Sequence, residues 1–288
     1  MKRAAAALIA VIITISVVAL WAGGLLVAPE MSTVGQPPAD LRVEAVTFPS
    51  KFSSTIHGWF VRGHDGWPVI VLMHGVRANR LSMMSRARFL AAAGYSVLAF
   101  DFQAHGESPG AHITFGHREA YDAEAAVKFV RGLMPSARVG AIGSSQGGAA
   151  ALVGPRPLEV DALVLEAVYA TLEEAVADRL VLRFGSLGRY VAPLLTLQVK
   201  PRLGFDPAEL RPIRGIAAVR CPVLLIAGSE DTRTPLAESK RMFDMAPQPK
   251  ELWVVTGAGH VNFHRFAGSQ YEERVLSFFS RSLKVGGG

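Results

Sequence analysis

Residues 138–152 read Arg138-Val139-Gly140-Ala141-Ile142-Gly143-Ser144-Ser145-Gln146-Gly147-Gly148-Ala149-Ala150-Ala151-Leu152. At their centre lies the pattern G-x-S-x-G. The apolar, partly β-branched residues before it predict a short buried strand, and the small residues after it suit a helix. A strand that turns at a serine straight into a helix is a nucleophile elbow. Such a turn strains the backbone at Ser145, so glycines two residues to either side avoid steric clash. It also sets the Ser145 hydroxyl at a helix N-terminus, where developing negative charge is favoured. The same five letters also occur by chance in Gly/Ser-rich loops, so the reading depends on partners elsewhere in the chain.

A serine hydroxyl is a weak nucleophile until a base takes its proton, and the base needs an orienting acid. Downstream, Cys221-Pro222-Val223-Leu224-Leu225-Ile226-Ala227-Gly228 reads as a buried parallel strand and runs into Ser229-Glu230-Asp231-Thr232-Arg233-Thr234-Pro235. Glu251-Leu252-Trp253-Val254-Val255 reads as another strand, followed by Gly257-Ala258-Gly259-His260. An acid and a histidine thus each follow the carboxyl end of a strand, the edge where open α/β sheets bind ligands. Upstream, the strand Pro68–Met73 enters His74-Gly75-Val76, a turn suited to one backbone donor of an oxyanion hole. The donors are expected to be the N–H groups of Val76 and Gln146.

With these residues in place, the chain resembles the α/β-hydrolases. More narrowly, it resembles the membrane-anchored serine hydrolases of their serine aminopeptidase-like branch. The likeness covers roughly residues 42–283. It rests on His74-Gly75-Val76, the strand end Asp101-Phe102-Gln103-Ala104-His105-Gly106-Glu107-Ser108, the elbow, and the Asp231/His260 pair. Many members of the superfamily carry Arg-Gly where this chain has Gln103-Ala104, so no arginine at that position steadies the loop. The resemblance implies an α/β fold: a mainly parallel central sheet with helices on both faces and a helical cap insertion. It also implies Asp231 rather than Glu230 as the acid, because Asp231 leads Asp-x-x-x-Pro235. Ser144 is expected to point away from the site. His74 is expected to shape the oxyanion turn, and His105 the loop beside it.

The order of elements agrees. Residues 42–50 and 55–62 alternate as a hairpin. Then come strand 68–73, helix 79–93, strand 95–101, helix 117–133, strand 138–143 and the elbow helix. Strands 162–168, 222–228 and 251–256 and a closing helix 268–283 complete an alternation that implies a parallel sheet. An insertion at about 171–216 takes the place of the cap. Its apolar residues, among them the pocket candidates Leu182, Phe184, Tyr190 and Leu194, are expected either to roof an acyl or aryl site or to pack the cap onto the sheet. Arginines and a lysine are interspersed. The terminal Gly286-Gly287-Gly288 is expected to fray.

Half of the 288 residues are hydrophobic, and mean hydropathy is +0.28. The N-terminus accounts for much of this. After Met1-Lys2-Arg3, residues Ala4–Pro29 carry no charge. About 20 apolar residues cross a ~30 Å hydrocarbon core, whereas the apolar region of a signal peptide has only about 7–15. Residues 1–30 are therefore read as an uncleaved anchor, with a cleaved signal and a secreted product as the alternative. Lys2 and Arg3 favour a cytoplasmic N-terminus and an extracytoplasmic domain. Residues 31–41 read as a linker and 42–288 as the hydrolase domain.

Net charge is +6 and the pI about 9.7. No basic element interleaved with aromatics suggests nucleic-acid binding, so attraction to anionic headgroups is the expected consequence. One cysteine, Cys221, excludes an intramolecular disulfide and reads as a buried structural thiol. The scattered His57, His64, His112, His117 and His264 read as structural or surface residues. No metal-ligand spacing and no nucleotide-binding motif is present, so no metal or cofactor is expected.

The function expected is hydrolysis of a carboxylic ester or thioester through Ser145, His260 and Asp231, with a lipid-like or small acyl substrate. The alternatives are an aminopeptidase-type peptidase and a non-catalytic binding protein on the same fold. An aspartate nucleophile, as in dehalogenases, is excluded by the serine at the elbow.

Overall fold

The computed structural model describes residues 2–53 and 55–284; the expectation for Gly286–Gly288 lies outside the described residues. Eight strands form one sheet: β1 Val43–Phe48, β2 Ile56–Val61, β3 Val69–Met73, β4 Ser96–Phe100, β5 Val139–Ser144, β6 Ala162–Glu166, β7 Val223–Gly228 and β8 Lys250–Val255. Their order is β8-β7-β6-β5-β3-β4-β2-β1. The strands from β3 to β8 pair in parallel, while β2 is antiparallel to both β1 and β4. The expected hairpin and parallel sheet are both present.

The centre of the sheet is covered on both faces. Every residue of β3, β4, β6 and β7 is buried, which explains why those strands read as continuous apolar runs rather than alternating ones. Within β3, Val69, Val71 and Met73 enter one core and Ile70 and Leu72 the other, as the two-residue side-chain period requires. Helix α3 (Glu119–Leu133) fills the first core with Ala123, Ala126, Val127 and Val130. Helix α2 (Met84–Ala92) supplies Met84, Ala87 and Leu90 to the second. The closing helix, Ser269–Leu283, adds Tyr271, Val275, Phe278 and Phe279 there. The expected helix 79–93 begins as a 3-10 turn at Arg80–Met83, capped by the Asn79 side chain accepting from Leu81 N–H.

The N-terminal run is one helix, α1 (Lys2–Val27). It ends just before Pro29, whose ring disfavours helical geometry at Ala28. Its last turn is docked on the domain: Val27 is buried and its carbonyl accepts from Ile113 N–H at 2.9 Å. The stretch read as a linker is held as well. Glu30–Met31 pairs in parallel with His105–Gly106, and Val34 N–H donates to Glu107 Oε1 at 3.1 Å.

After β6 the chain leaves the sheet to build the cap. Its main elements are α5 (Leu172–Phe184), α6 (Gly188–Thr196) and α7 (Val199–Leu203). Thr171 caps α5 by accepting from Glu174 N–H. Gly188 lets α6 start directly against the backbone of Leu180 and Val181, where a Cβ would lie 2.3 Å from the nearest atom.

Candidate active site

Ser145 stands between β5 and α4 (Gln146–Ala150) with φ 49° and ψ −111°, a left-handed conformation costly for a non-glycine residue. The flanking glycines allow it. A Cβ on Gly143 would lie 2.6 Å from Gly148 N, and one on Gly147 would lie 2.4 Å from the Met73 carbonyl. The strained turn is tied to the next strand, because Ser145 N–H donates to the Glu166 carbonyl at 2.8 Å.

Asp231 and His260 follow β7 and β8 and meet above the sheet edge. His260 Nδ1 lies 2.8 Å from Asp231 Oδ2. The acid is held on every side. Its Oδ1 accepts from the backbone of Arg233 and Thr234, at 2.8 and 2.9 Å, and its Oδ2 accepts from Thr234 Oγ1 at 2.6 Å. Burial raises the pKa of Asp231, but the hydrogen bonds from His260 and Thr234 outweigh it and hold the carboxyl below its ordinary range. Glu230, its neighbour, is exposed.

Ser145 and His260 open onto one cavity of about 260 Å³, shared with Gly75, Val76, Ala167, Met83 and Asn262. Ser145 Oγ donates no hydrogen bond to His260 here, and such contacts commonly tighten only when substrate is bound. Ser144, expected to point away, also borders the cavity. Among the described residues, the N–H groups of Val76 and Gln146 donate to no protein acceptor, which leaves both free for an oxyanion. The turn carrying Val76 is fixed by His74. Its Nε2 accepts from Phe102 N–H at 3.0 Å and its Nδ1 donates to the Gly75 carbonyl at 2.7 Å. Burial, with His105 beside it, pushes the His74 imidazole down to about 3, so it stays neutral and keeps that tautomer.

The loop after β4 departs from expectation. Ala104 takes φ 59°, a left-handed conformation that favours glycine. An arginine does steady this loop, but from elsewhere: Arg80, itself buried, pairs with both Asp101 and Glu107.

Three further residues of the site escaped the sequence reading. Arg86 borders the cavity and is buried against Glu166, with Nε 2.9 Å from Oε1 and Nη2 2.6 Å from Oε2. It also donates to Asn262 Oδ1 at 3.1 Å, two residues beyond His260. Arg179 of α5 and Arg233 complete the cavity wall. Among the described residues neither forms an ion pair. Arg179 instead donates to the Ala175 carbonyl at 2.7 Å, and burial and the nearby Arg233 both push its pKa down.

The cap candidates lie elsewhere. None of Leu182, Phe184, Tyr190 and Leu194 borders the cavity at Ser145, and all four are exposed. The helical hairpin turns that apolar surface outward instead of packing it on the sheet. Cys221 is buried, which pushes its thiol up to about 12 and leaves it inert. His117 stacks on Phe205 and His264 meets Glu272, as structural residues do.

Sheet order, elbow and flanking loops define an α/β-hydrolase, and comparison with known proteins agrees. The chain belongs to the alpha/beta hydrolase family, whose pattern it matches over residues 56–275. It is 31% identical to protein Rv2307c of Mycobacterium tuberculosis over 80% of this chain and 76% of that one. It is 26% identical to YqkD of Bacillus subtilis over 81% and 78%. It is also 24% identical to the lysophosphatidylserine lipase ABHD12 of Danio rerio, over 67% of this chain and 51% of that one. Among solved structures it resembles the Pyrococcus furiosus esterase Pf2001, with a TM-score of 0.74 and 25% identity over 90% of this chain and 98% of the esterase.

Proposed function

We propose that this protein is a serine hydrolase that cleaves a carboxylic ester or thioester of a lipid-like acyl group. The observation that carries the reading is the pair formed by buried Asp231 and half-buried His260 at 2.8 Å, with His260 opening onto the same cavity as the strained Ser145. A binding protein has no use for that arrangement.

In this mechanism His260 Nε2 takes the Ser145 proton as Oγ attacks the carbonyl carbon. Asp231 holds Nδ1–H and stabilises the imidazolium. The oxyanion accepts from Val76 and Gln146 N–H, each donor worth roughly 10²–10³ in rate. Collapse of the tetrahedral intermediate breaks the ester C–O or thioester C–S bond, and His260 protonates the departing alcohol or thiol. Water, deprotonated by His260, then attacks the acyl-enzyme, which releases the carboxylic acid and restores Ser145. A lipid ester fits the names of the esterase Pf2001 and of the Danio rerio lipase. It also fits a helix, α1, long and apolar enough to span a bilayer, which we take as an anchor with the domain outside the cytoplasm.

The decisive experiment treats the purified protein with a fluorophosphonate probe. Labelling is expected in the native chain and absent in Ser145→Ala; a labelled alanine variant would overturn the assignment. A chain-length series of p-nitrophenyl esters, run beside acyl-thioesters and aminoacyl anilides, then separates esterase from thioesterase and peptidase.

A further inference from the structure

The apolar surface of the cap is outward and large. Leu187, Tyr190 and Leu197 are 68%, 81% and 72% exposed. Soluble proteins seldom leave such residues side by side in water. The hairpin also forms one wall of an apolar groove of about 400 Å³, whose other wall is α1. Leu180, Phe184, Leu187 and Val191 face Thr14, Ile15, Val18 and Ala22 across it.

The position along α1 fixes the depth. The helix has 26 residues, about 39 Å at 1.5 Å per residue. With Lys2 and Arg3 at one headgroup layer, a ~30 Å core takes about 20 residues, Ala4 to Gly23, with its midplane near Thr14. The wall from Thr14 to Ala22 therefore lies in the hydrocarbon of the leaflet next to the domain. Polar groups mark where that leaflet ends. Arg202 reaches the Leu20 carbonyl and Arg77 the Leu25 carbonyl, as basic side chains do at the edge of a bilayer. Gly23 lets Gln198 approach α1 closely, with a would-be Cβ 2.3 Å from Gln198 Oε1.

Charge points to the same surface. Of the charged residues between Asp178 and Asp206, all basic, Arg183, Arg189 and Lys200 are exposed and Arg202 reaches α1, while Arg179 turns into the catalytic cavity. A basic, apolar-faced helical element suits anionic headgroups. The segment Leu172–Leu203 is apolar enough to be a second span. It instead folds back at Gly185–Gly188, so it can enter one leaflet without crossing.

We propose that the α5–α6 hairpin is inserted into the leaflet beside the domain, so that the cap meets lipid directly. This rests on α1 spanning the membrane. Helix α5 then separates two compartments: Arg179 borders the catalytic cavity and the adjacent Leu180 borders the groove. An acyl chain drawn from that leaflet reaches Ser145 past α5 without entering water.

The test uses the full chain in phosphatidylcholine–phosphatidylglycerol vesicles, in a Cys221→Ala background. An environment-sensitive fluorophore is placed at Leu187→Cys, Tyr190→Cys, Thr14→Cys or the exposed Lys240→Cys. Quenching by chain-labelled doxyl lipid is expected at the first three positions and iodide quenching only at the fourth. Lipid quenching at Thr14 with iodide quenching at Leu187 and Tyr190 would overturn the inserted cap while leaving the anchor intact. Iodide quenching at Thr14 would overturn the anchor and the cap together. Shielding of the cap from both quenchers would show a protein partner or second copy covering it, and would also overturn the proposal. Leu187→Glu is expected to lower turnover of a vesicle-borne ester roughly tenfold and to leave a water-soluble ester unchanged. Equal loss on both substrates would count against lipid contact.

Discussion

Ser145 N–H donates to the Glu166 carbonyl at 2.8 Å, and the carboxylate of the same Glu166 holds Arg86 at the cavity wall. Arg86 in turn reaches Asn262, beside His260. One buried ion pair thus ties the end of β6, to which Ser145 is bonded, to the loop that carries His260.

Breaking that pair should damage stability and rate together. Arg86→Met leaves a carboxylate buried without its cation, which typically costs about 3–5 kcal/mol. Urea denaturation should show this as a lowered midpoint. Arg86→Lys keeps the charge but loses the two-pronged fit, so it should fall between the two. A methionine variant as stable as the native chain would refute the structural role assigned to Arg86.

In the proposed triad Asp231, 2.8 Å from Nδ1, holds His260 in one tautomer. Asp231→Asn can present an amide N–H where Nδ1–H must donate, so the imidazole turns its proton the wrong way. In triads of this kind the change lowers kcat by about 10⁴ with binding largely kept. Single-turnover acylation of a p-nitrophenyl ester measures this, and a variant within tenfold of native would dismiss Asp231 as the orienting acid.

The cavity should prefer an anionic substrate. Arg179 and Arg233 border it and pair with no carboxylate among the described residues. An ester carrying a phosphate or carboxylate near the scissile bond should therefore be cleaved faster than its neutral analogue. Arg233→Gln should remove about tenfold of that preference in kcat/KM while sparing the neutral ester. Equal effects on both esters would dissociate Arg233 from charge recognition.

Glu238 gives stability a pH dependence of known sign. Burial, helped by the neighbouring Asp178 carboxylate, raises its carboxyl to about 8, while its oxygen accepts from Ala170 N–H at 3.1 Å. The folded chain keeps a proton that the unfolded chain releases near its ordinary value of 4.5. The stabilisation is therefore complete below that value and disappears as pH rises through about 8. Glu238→Gln has no proton to lose. Its melting temperature, set against the native value at each pH, should gain from about pH 5 to about pH 9. A constant difference across that range would exclude Glu238 as the titrating group.

Much of this was written locally. Gly143 and Gly147 each sit where a Cβ would strike backbone, and such constraints leave the same letters wherever the turn occurs. Asp231 stood out because it follows the unbroken apolar run of β7, and His260 because it follows the shorter apolar run Leu252–Val255 of the edge strand β8. Thr234 left a fainter mark, a hydroxyl three residues after an aspartate, as in many side-chain-closed turns. Arg86 left none. Its partners Glu166 and Tyr271 are 80 and 185 residues away, and no local pattern encodes a pair that meets only through the sheet. The cap was half legible: its apolar composition was plain, but the direction it faces depends on where the hairpin turns at Gly185–Gly188.

The sequence alone determined the α/β-hydrolase fold and the places of Ser145, Asp231 and His260 just beyond strand ends, because strand burial, turn strain and helix starts are properties of neighbouring residues. Only the tertiary structure decided what surrounds Ser145. It put three arginines on the cavity wall, joined one of them to Glu166, and carried the apolar cap away from the cavity to lie against α1. Those relationships depend on distances between segments far apart in the chain, which packing sets and periodicity does not record.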